Sequence, residues 1–381
     1  MSKSQGFHVE ETCRCHDGRM MSASKSRIEG LDLLRGIAIA LVLIRHAWPE
    51  AIGTAGIVGV VSFFALSGYL ITGLLMRDIR QNGRVRYGRF YRNRALRLVP
   101  PLVLALAFFA AYTLIVNPLD DRGDVARSVI VGLTYTMNIP FDHGSPALSH
   151  LWTLATEEQF YIVWPLLLAL GVRWRKLRWL VIGAAVASLV VCGATIVLAA
   201  PSVGKVYTLP TSWAIAMIIG AAAKLGEARI ERSLTPLRRT WAGALGLAGL
   251  LGLSLLPEAK GSPATYLILA PAIAILTVAL IMQLKTWGVL PSAWLRPMLA
   301  LGTISYAAYL WNYPIVMWLG ERPFEPARAV LSIVLTIVAA TVSWWAVEVP
   351  AQKWKERLDK RARLTGELAT ESAPVARQHH S

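Results

Sequence analysis

The stretch LDLLRGIAIALVLIRHAW, residues 31–48, places Arg35 and His46 in one apolar segment. The two residues are eleven positions apart, and eleven steps of about 100° end only about 20° beyond three full helical turns. Both side chains therefore project from one face of a helix, about 16 Å apart along its axis. Ionisable groups are costly inside a membrane segment and mark a functional site. Because an arginine can bind an anion and a histidine can move a proton, the pair indicates a group-transfer site.

The composition predicts a membrane protein built from helices. Of the 381 residues, 55% are hydrophobic and only 16% are charged, and the mean hydropathy is +0.48. A soluble enzyme carries about 25% charged residues. Several apolar runs reach the length of about 20 residues that is needed to cross a bilayer, including 99–116, 179–200, 264–284 and 299–319. We therefore expect an all-α, polytopic membrane protein.

The distribution of basic residues argues against a nucleic-acid partner, although the formal net charge is +16. Residues 77–97 alone contain eight arginines, whereas alternate connections between the apolar runs contain few basic residues. Of the 39 lysines and arginines, 31 fall on one predicted side of the membrane and 6 on the other. This asymmetry follows the positive-inside rule, which makes the basic side cytoplasmic.

The same alternation predicts about ten transmembrane helices with both termini in the cytoplasm. The run 125–138 is also apolar, but a crossing there would move the basic cluster at 173–178 to the outside. We therefore interpret this run as a packed or re-entrant part of a long outer loop. The predicted spans are 31–48, 56–76, 99–116, 149–170, 179–200, 209–225, 240–256, 264–284, 297–319 and 328–348.

Three regions follow from this topology. Residues 1–28 are predicted to be a disordered basic tail, residues 29–350 the membrane domain, and residues 351–381 a polar cytoplasmic tail. The N-terminal tail contains a C-R-C-H cluster at 13–16. A structural zinc site needs four ligands at a recognised spacing, so we predict no metal site here.

Five motifs occur in order along the chain and together resemble the acyltransferase-3 family of integral membrane O-acyltransferases, which modify bacterial surface glycans. The spacing of the arginine and the histidine alone would be weak evidence, but the set of motifs is specific and covers about 31–350. The matching stretches are LDLLRGIAIALVLIRHA, FFALSGYLIT, FYRNRALRLVPPL, LWTLATEEQFYIVWP and ISYAAYLWNYPI.

The resemblance implies a ten-helix enzyme of the bacterial cytoplasmic (inner) membrane. It implies transfer of an acyl group, with acetyl expected, from cytoplasmic acyl-CoA to a hydroxyl of a cell-surface or lipid-linked glycan. By position, Arg35 and His46 match the family's arginine and histidine pair, and Arg94 and Arg97 match its cytoplasmic arginine motif. Glu158 matches the second glutamate of the EEQFY-like segment.

The chain departs from the family pattern at three positions. Asn93 precedes Arg94 where many members have two adjacent arginines. Asn312 replaces a histidine that is common in the ninth-span motif, and Ser212 stands where an arginine is expected. These changes leave the donor half of the pattern intact and alter residues expected in the acceptor half.

The arginines are candidates for binding the acyl donor. Coenzyme A carries phosphates, and guanidinium groups are planar, permanently charged, bidentate phosphate ligands. We predict this role for Arg35, Arg94 and Arg97. The rest of the basic stretch at 77–97 is interpreted as a topology signal that also attracts anionic membrane lipid.

His46 is the candidate general base, because its ordinary pKa near 6.5 suits removal of a proton from a sugar hydroxyl. The alternative interpretation is a histidine that caps the helix end at the membrane interface. Glu158 is expected to orient or stabilise His46, as a carboxylate does in a catalytic triad. Alternatively, Glu158 could pair with Arg35 or Arg45, since a buried carboxylate needs a partner.

Two neighbouring polar positions are interpreted as structural. Glu157 lies on a different helical face from Glu158 and is interpreted as a charge near the helix start. Ser67 could in principle accept an acyl group, but the Ser67–Gly68 pair is more typical of close packing between membrane helices.

Two other function classes remain open at this stage. A transporter or flippase of a glycan or small molecule would also have about ten spans, but such proteins often contain internal repeats, and we find no convincing duplication in this chain. A scaffold for glycan assembly would not need arginine, histidine and glutamate within its spans. We therefore expect an acyltransferase.

Overall fold

The computed structural model describes residues 28–320 and 326–358. Within these ranges 82% of the residues are helical and no strand is present. The helices are α1 (Glu29–Ala47), α2 (Ala55–Asn82), α3 (Tyr87–Ile115), α4 (Val125–Leu133), α5 (Trp152–Arg173), α6 (Leu177–Ala199), α7 (Ala214–Leu225), α8 (Glu227–Ser233), α9 (Pro236–Ser254), α10 (Thr265–Leu284), α11 (Arg296–Thr303), α12 (Ser305–Leu319) and α13 (Pro326–Leu358).

Five helices of the described chain are long and apolar enough to cross a membrane, namely α2, α3, α6, α10 and α13. The all-helical architecture is the predicted one, and these apolar helices fit a membrane protein. A helix covers most or all of each of the ten predicted spans. The count of ten crossings and the cytoplasmic position of both termini stay predictions.

Two predicted spans differ from the helices in detail. The sixth, 209–225, becomes a helix only at Ala214, because Pro210 opens a short 3-10 turn instead. The ninth, 297–319, is not one helix but is divided at Ile304 into α11 and α12. The β-branched residues at 303 and 304 have low helix propensity, which suits a break at this point.

The apolar run 125–138 contains the short helix α4, which has nine residues. At about 1.5 Å per residue this helix is about 13 Å long, whereas the hydrocarbon core of a bilayer is about 30 Å thick. It packs against α3 and against the 3-10 turn Pro146–Leu151. Its length and contacts agree with a packed segment rather than a crossing.

The basic stretch 77–97 lies between two predicted spans, where a loop is expected, but most of it is helical. Helix α2 continues to Asn82 and α3 begins at Tyr87, so only a short turn joins them. Arginine, leucine and alanine are strong helix formers, which explains the continuation. As a consequence Arg94 and Arg97, three residues apart, lie on one face of α3.

Glycines bring the central helices into backbone contact. A Cβ atom built at Gly68 would overlap the carbonyl oxygen of Met217 on α7, and one at Gly220 would overlap that of Ala65 on α2. Helices α1 and α11 meet in the same way at Gly302. Small residues allow this close approach of membrane helices. The predicted packing role of the Ser67–Gly68 pair is therefore confirmed for its glycine.

The two predicted tails are described only in part. The N-terminal tail with its C-R-C-H cluster lies outside the described residues, except for Ile28. At the other end α13 runs without a break through residue 350 to Leu358, so the polar segment begins as a continuation of the last helix.

Candidate active site

Two cavities open into the helix bundle, and the sequence-predicted site residues divide between them. The first, which we name the arginine cavity, has a volume of about 300 Å³. It is lined by side chains from α1, α2, α3, α5, α12 and α13, including Arg35, Arg94, Arg97, Glu157, Glu158, Tyr161, Tyr306, Tyr309 and Lys355. The second, which we name the histidine cavity, has a volume of about 440 Å³. Its lining includes Arg45, His46, Glu50, Tyr207, Lys260, Tyr313, Arg328 and Ser332.

The cavities follow one another along the same four helices, α1, α2, α12 and α13. On α2, Ile57 lines the histidine cavity and Val60 lines the arginine cavity. Three residues correspond to about 4.5 Å along a helix, so on α2 the linings of the two cavities are about one turn apart. On α1 the order is the same, with Arg35 in one cavity and His46 in the other.

The connections on the basic-poor side of the predicted topology meet at the histidine cavity. Glu50 and Gly53 come from the connection after α1, Lys260 from the one after α9, and Gly320 from the one after α12. The arginine cavity instead receives residues from the basic half of α3 and from Lys355 near the end of α13. The two cavities therefore approach opposite ends of the bundle.

Arg35 and Arg97 present positive charge to the arginine cavity. Arg35 forms an ion pair with the buried Asp32, with 2.6 Å between Nη1 and Oδ1. Arg97 makes no hydrogen bond or ion pair with another residue of the described chain, and its side chain is exposed to the cavity. A permanently charged fork without a protein partner is suited to an anionic ligand.

Arg94 is held firmly by Glu158 on α5. Its Nε donates to both carboxylate oxygens of Glu158, at 2.8 and 3.0 Å, and its Nη2 lies 2.7 Å from Oε1. The guanidinium also stacks over the ring of Tyr161, with Cζ 3.5 Å from the ring centroid. This bidentate pair leaves Nη1 as the part of the fork that remains for a ligand.

Glu158 does not contact His46, contrary to the expectation from the sequence. Its carboxylate pairs with Arg94, and it lines the arginine cavity, whereas His46 lines the histidine cavity. The alternative pairing with Arg35 or Arg45 is also not observed. The cause is the contact of side chains of α3 with α5. It brings Arg94 on α3, rather than an arginine of α1, to Glu158.

Glu157 lies in the same cavity as Glu158, so its interpretation as a simple helix-start charge was wrong. Its Oε2 is 3.8 Å from Nη2 of Arg94. Nearby, the hydroxyl groups of Ser67 and Tyr161 are hydrogen-bonded to each other. The cavity lining thus contains four cationic side chains and two carboxylates, which leaves an excess of positive charge.

His46 is held by a side chain from α12. Its Nδ1 lies 2.5 Å from Oδ1 of Asn312, which is buried. Its ring also meets the ring of Tyr313 edge to face, with centroids 5.1 Å apart. The helix-end position predicted from the sequence is correct, but the ring is packed against α12 and lines a cavity rather than only capping the helix.

A network of charges stands beside His46 in the histidine cavity. Glu258 lies 3.0 Å from Nη2 of Arg45 and 2.7 Å from Nζ of Lys260, and Nε of Arg45 donates to the carbonyl of Gly53 at 2.8 Å. Partial burial acts to raise the pKa of the Glu258 carboxyl, but Lys260 and Arg45 hold it below its ordinary value. The ion pairs tie α1 to the connection that follows α9.

His150 is a candidate that the sequence reasoning missed. It is buried in the 3-10 turn before α5, and its ring lies 5.3 Å from that of Tyr309 and 5.5 Å from that of Tyr313. It therefore occupies the wall between the two cavities. Its position directly before the LWTLATEEQFYIVWP motif was the available signal.

Comparison with known proteins decides the family. A family model described as an acyltransferase domain matches residues 28–348. The chain belongs to the acyltransferase-3 family. Membership makes it an acyltransferase by class, for groups other than amino-acyl groups, and together with the apolar helices it indicates a multi-pass membrane protein.

Two relatives have names that describe the reaction. The chain is 28% identical over 363 residues to the peptidoglycan O-acetyltransferase OatA of Listeria monocytogenes, covering 87% of this chain and 56% of the relative. It is 25% identical over 356 residues to the O-acetyltransferase OatA of Staphylococcus aureus, covering 86% of this chain and 57% of the relative. The chain thus spans little more than half the length of these relatives. No solved structure matches it.

The described residues contain no cluster of three or more His, Cys, Asp or Glu side chains that could hold a metal ion. The charged residues that line the cavities are dominated by arginines and lysines, which are suited to anionic ligands. The arginines that match the family pattern therefore line the arginine cavity, and the matching histidine lines the other cavity.

Proposed function

We propose that this acyltransferase moves an acyl group, with acetyl expected, from acyl-CoA to a hydroxyl of a cell-surface or lipid-linked glycan. The proposal places it in the bacterial cytoplasmic membrane, with the arginine cavity open to the cytoplasm. The observation that carries the proposal is the stacking of a cationic cavity and a histidine-lined cavity along the same four helices. One cavity would receive the donor and the other the acceptor.

Acyl-CoA would bind through Arg35, Arg94 and Arg97. The side chains that line the arginine cavity carry more positive than negative charge, which suits the phosphates of coenzyme A. Arg97 has no competing partner within the described chain. In this account Glu158 is a positioning residue for Arg94, because it holds Nε and Nη2 and leaves Nη1 directed to ligand. We therefore no longer assign Glu158 to the support of His46.

The pantetheine arm would carry the thioester from the arginine cavity to the wall. On α2 the linings of the two cavities are about one helical turn apart, so the arm would deliver the thioester there to an acceptor on the side of His46. The coenzyme itself would stay on the cytoplasmic side. Transfer across the membrane would then need no movement of the whole donor.

His46 would act as the general base. It takes the proton of the acceptor hydroxyl as the oxygen attacks the thioester carbonyl, and the new ester bond replaces the broken C–S bond. The same proton then passes from His46 to the departing sulfur, so the products are the ester and free coenzyme A. This is a direct transfer. Acyl label trapped on the protein in the absence of acceptor would contradict it.

The acceptor class is suggested by the relatives. Both are named O-acetyltransferases, and the Listeria protein is named for peptidoglycan. A sugar hydroxyl of a peptidoglycan-type glycan is therefore the acceptor to test first. Lys260 and Arg328 in the histidine cavity add cationic groups that could meet carboxylates of such a glycan.

The test uses the full chain reconstituted in liposomes with labelled acetyl-CoA on one side and a soluble glycan acceptor on the other. We expect release of coenzyme A that depends on the acceptor, with the label appearing on the glycan. Movement of the glycan across the membrane without any consumption of acetyl-CoA would instead support the transporter alternative and contradict the proposal.

A further inference from the structure

The hydrogen bond of His46 is the first of a series of hydrogen bonds that crosses α12 and reaches α13. Oδ1 of Asn312 on α12 lies 2.5 Å from Nδ1 of His46, and Nδ2 of Asn312 donates to Oγ1 of Thr336 on α13 at 3.3 Å. The hydroxyl of Thr336 donates in turn to the carbonyl of Ser332 at 2.7 Å. Asn312 and Thr336 are buried, with exposed fractions of 1% and 0%.

The donors and acceptors in this series of hydrogen bonds can be assigned, because Thr336 has a single hydroxyl hydrogen. That hydrogen is used toward the carbonyl of Ser332, so the Thr336 oxygen can only accept from Asn312. The amide NH₂ of Asn312 therefore faces α13, and its carbonyl faces His46. A carbonyl oxygen cannot donate, so Nδ1 of His46 must carry the proton of this bond.

A neutral imidazole with its proton on Nδ1 has its lone pair on Nε2. Nε2 of His46 makes no hydrogen bond with another residue of the described chain, and the ring lines the histidine cavity. The nitrogen that is not used by Asn312 is thus the one available to an acceptor hydroxyl. The group that accepts the hydrogen bond from Nδ1 is thus a neutral amide rather than a carboxylate.

We propose that Asn312 is a positioning residue that, anchored by Thr336, holds His46 as the Nδ1–H tautomer with Nε2 ready to take the acceptor proton. This inference rests on the proposed role of His46 as general base. It assigns a function to the position where this chain has asparagine in place of the histidine expected from the family pattern. The amide binds the ring and fixes its orientation without adding a negative charge.

Other groups around His46 determine how a pH profile should be interpreted. Those that face it come from its own helix, from the connections and from α12 and α13. They are Arg45, Glu50, Tyr207, Lys260, Tyr313 and Arg328 in the cavity, and His150 across the ring of Tyr313. Since these groups are the same in all the variants below, a shift among variants reports on the changed bond.

The decisive measurement is nitrogen NMR of the full chain in nanodiscs, labelled with ¹⁵N-histidine. The His46 signals are assigned by their loss in His46→Gln. We expect a protonated Nδ1 and an unprotonated Nε2 in the wild type, and loss of this single tautomer in Asn312→Leu. Thr336→Val should give a mixture of tautomers, because the amide loses its anchor.

Thr341→Val is the matched control for Thr336→Val. Thr341 is also on α13 and its hydroxyl also donates to a carbonyl four residues earlier, but it is only partly buried and lies outside the series of bonds that leads to His46. It should leave the His46 spectrum unchanged. A wild-type spectrum with the proton on Nε2, or an unchanged tautomer in Asn312→Leu, would overturn the proposal whatever the enzyme's substrates are.

Activity separates positioning from simple structural support. Asn312→Leu should lower kcat about 100-fold or more with little change in the KM for the donor, because orientation of a general base is worth that much. Asn312→Asp keeps an acceptor toward Nδ1 and should retain much of kcat. Its acid limb should move to higher pH, because a carboxylate stabilises the protonated ring.

The outcomes distinguish this proposal from the function on which it rests. If Asn312→Leu changes the tautomer but His46→Ala keeps full activity, the positioning stands and the general-base role fails. If Asn312→Asp is as inactive as Asn312→Leu with no shift in its profile, Asn312 does not act through the His46 hydrogen bond.

Discussion

Tyr309 and Tyr313 lie one turn apart on α12, and their side chains line different cavities. The Tyr309 hydroxyl is fixed by Thr153, which donates to it at 2.7 Å, and it donates to the carbonyl of His150 at 2.7 Å. Tyr313 packs against His46 on one side and His150 on the other. This turn of α12 therefore forms part of the wall across which the acyl group would pass.

Arg97 should contribute to donor affinity. Arg97→Gln should raise the KM for acetyl-CoA about 10- to 100-fold, because a charge-assisted hydrogen bond is worth about 1.5–3 kcal/mol. Its thermal stability should change little, since Arg97 has no partner within the described chain. Arg84→Gln, a change to an exposed arginine in the turn between α2 and α3, is the matched control and should leave KM unchanged. Equal KM values for both variants would remove Arg97 from the donor site.

Arg94 and Glu158 should show strong coupling. Each single change, Arg94→Gln or Glu158→Gln, leaves the other group poorly satisfied and should cost about 1–3 kcal/mol of unfolding free energy. The double variant should cost clearly less than the sum of the two, because neither partner then remains alone. Thermal unfolding in detergent gives the comparison. Strictly additive losses would show that the pair contributes nothing as a pair.

Close contact at Gly68 should be essential for folding. Gly68→Leu would force a side chain into the backbone of α7 and should destabilise the protein by about 3 kcal/mol or more. Gly193→Leu on α6, where the added side chain meets open space, is the matched control. Size-exclusion profiles in detergent report the folded fraction. Similar folded fractions for the two variants would contradict the observed α2–α7 contact.

The thermal stability of the folded protein should depend on pH through Glu258. Its pKa is held below the ordinary value in the folded protein, so its ion pairs contribute stability above the ordinary pKa and lose it as the pH falls through the folded value. Wild type should therefore exceed Glu258→Gln in thermal stability near pH 6, and the difference should shrink as the pH falls below the ordinary carboxyl pKa of about 4.3 and through the lower folded-state value. A constant difference across this range would contradict the assigned pKa direction.

The helices were predictable because hydrophobic runs and helical periodicity are local properties of the sequence. The relation between Arg35 and His46 followed in the same way, since both lie on one helix with fixed geometry. Their division between two cavities did not follow. That division depends on which residues of α2, α3 and α12 surround each end of α1.

The partners of charged residues were not predictable, because they belong to the packing of separate helices. Glu158 was expected beside His46 and instead pairs with Arg94. Asn312 was visible only as a departure from the family pattern, and its bond to His46 spans 266 positions of sequence. His150 was overlooked because a single histidine before a motif is a weak signal until Tyr309 and Tyr313 are placed around it.

The central claim is that this protein transfers an acyl group to a glycan with His46 as the general base. It is tested most directly by mass spectrometry of cell-surface glycans from a deletion strain that carries wild type or His46→Ala at matched membrane levels. We predict an added acetyl mass of about 42 Da on glycan fragments with the wild type, and its loss with His46→Ala. Equal acetylation by the two proteins would contradict the role of His46, and no mass difference between the deletion strain and the complemented strain would contradict acyl transfer to glycan.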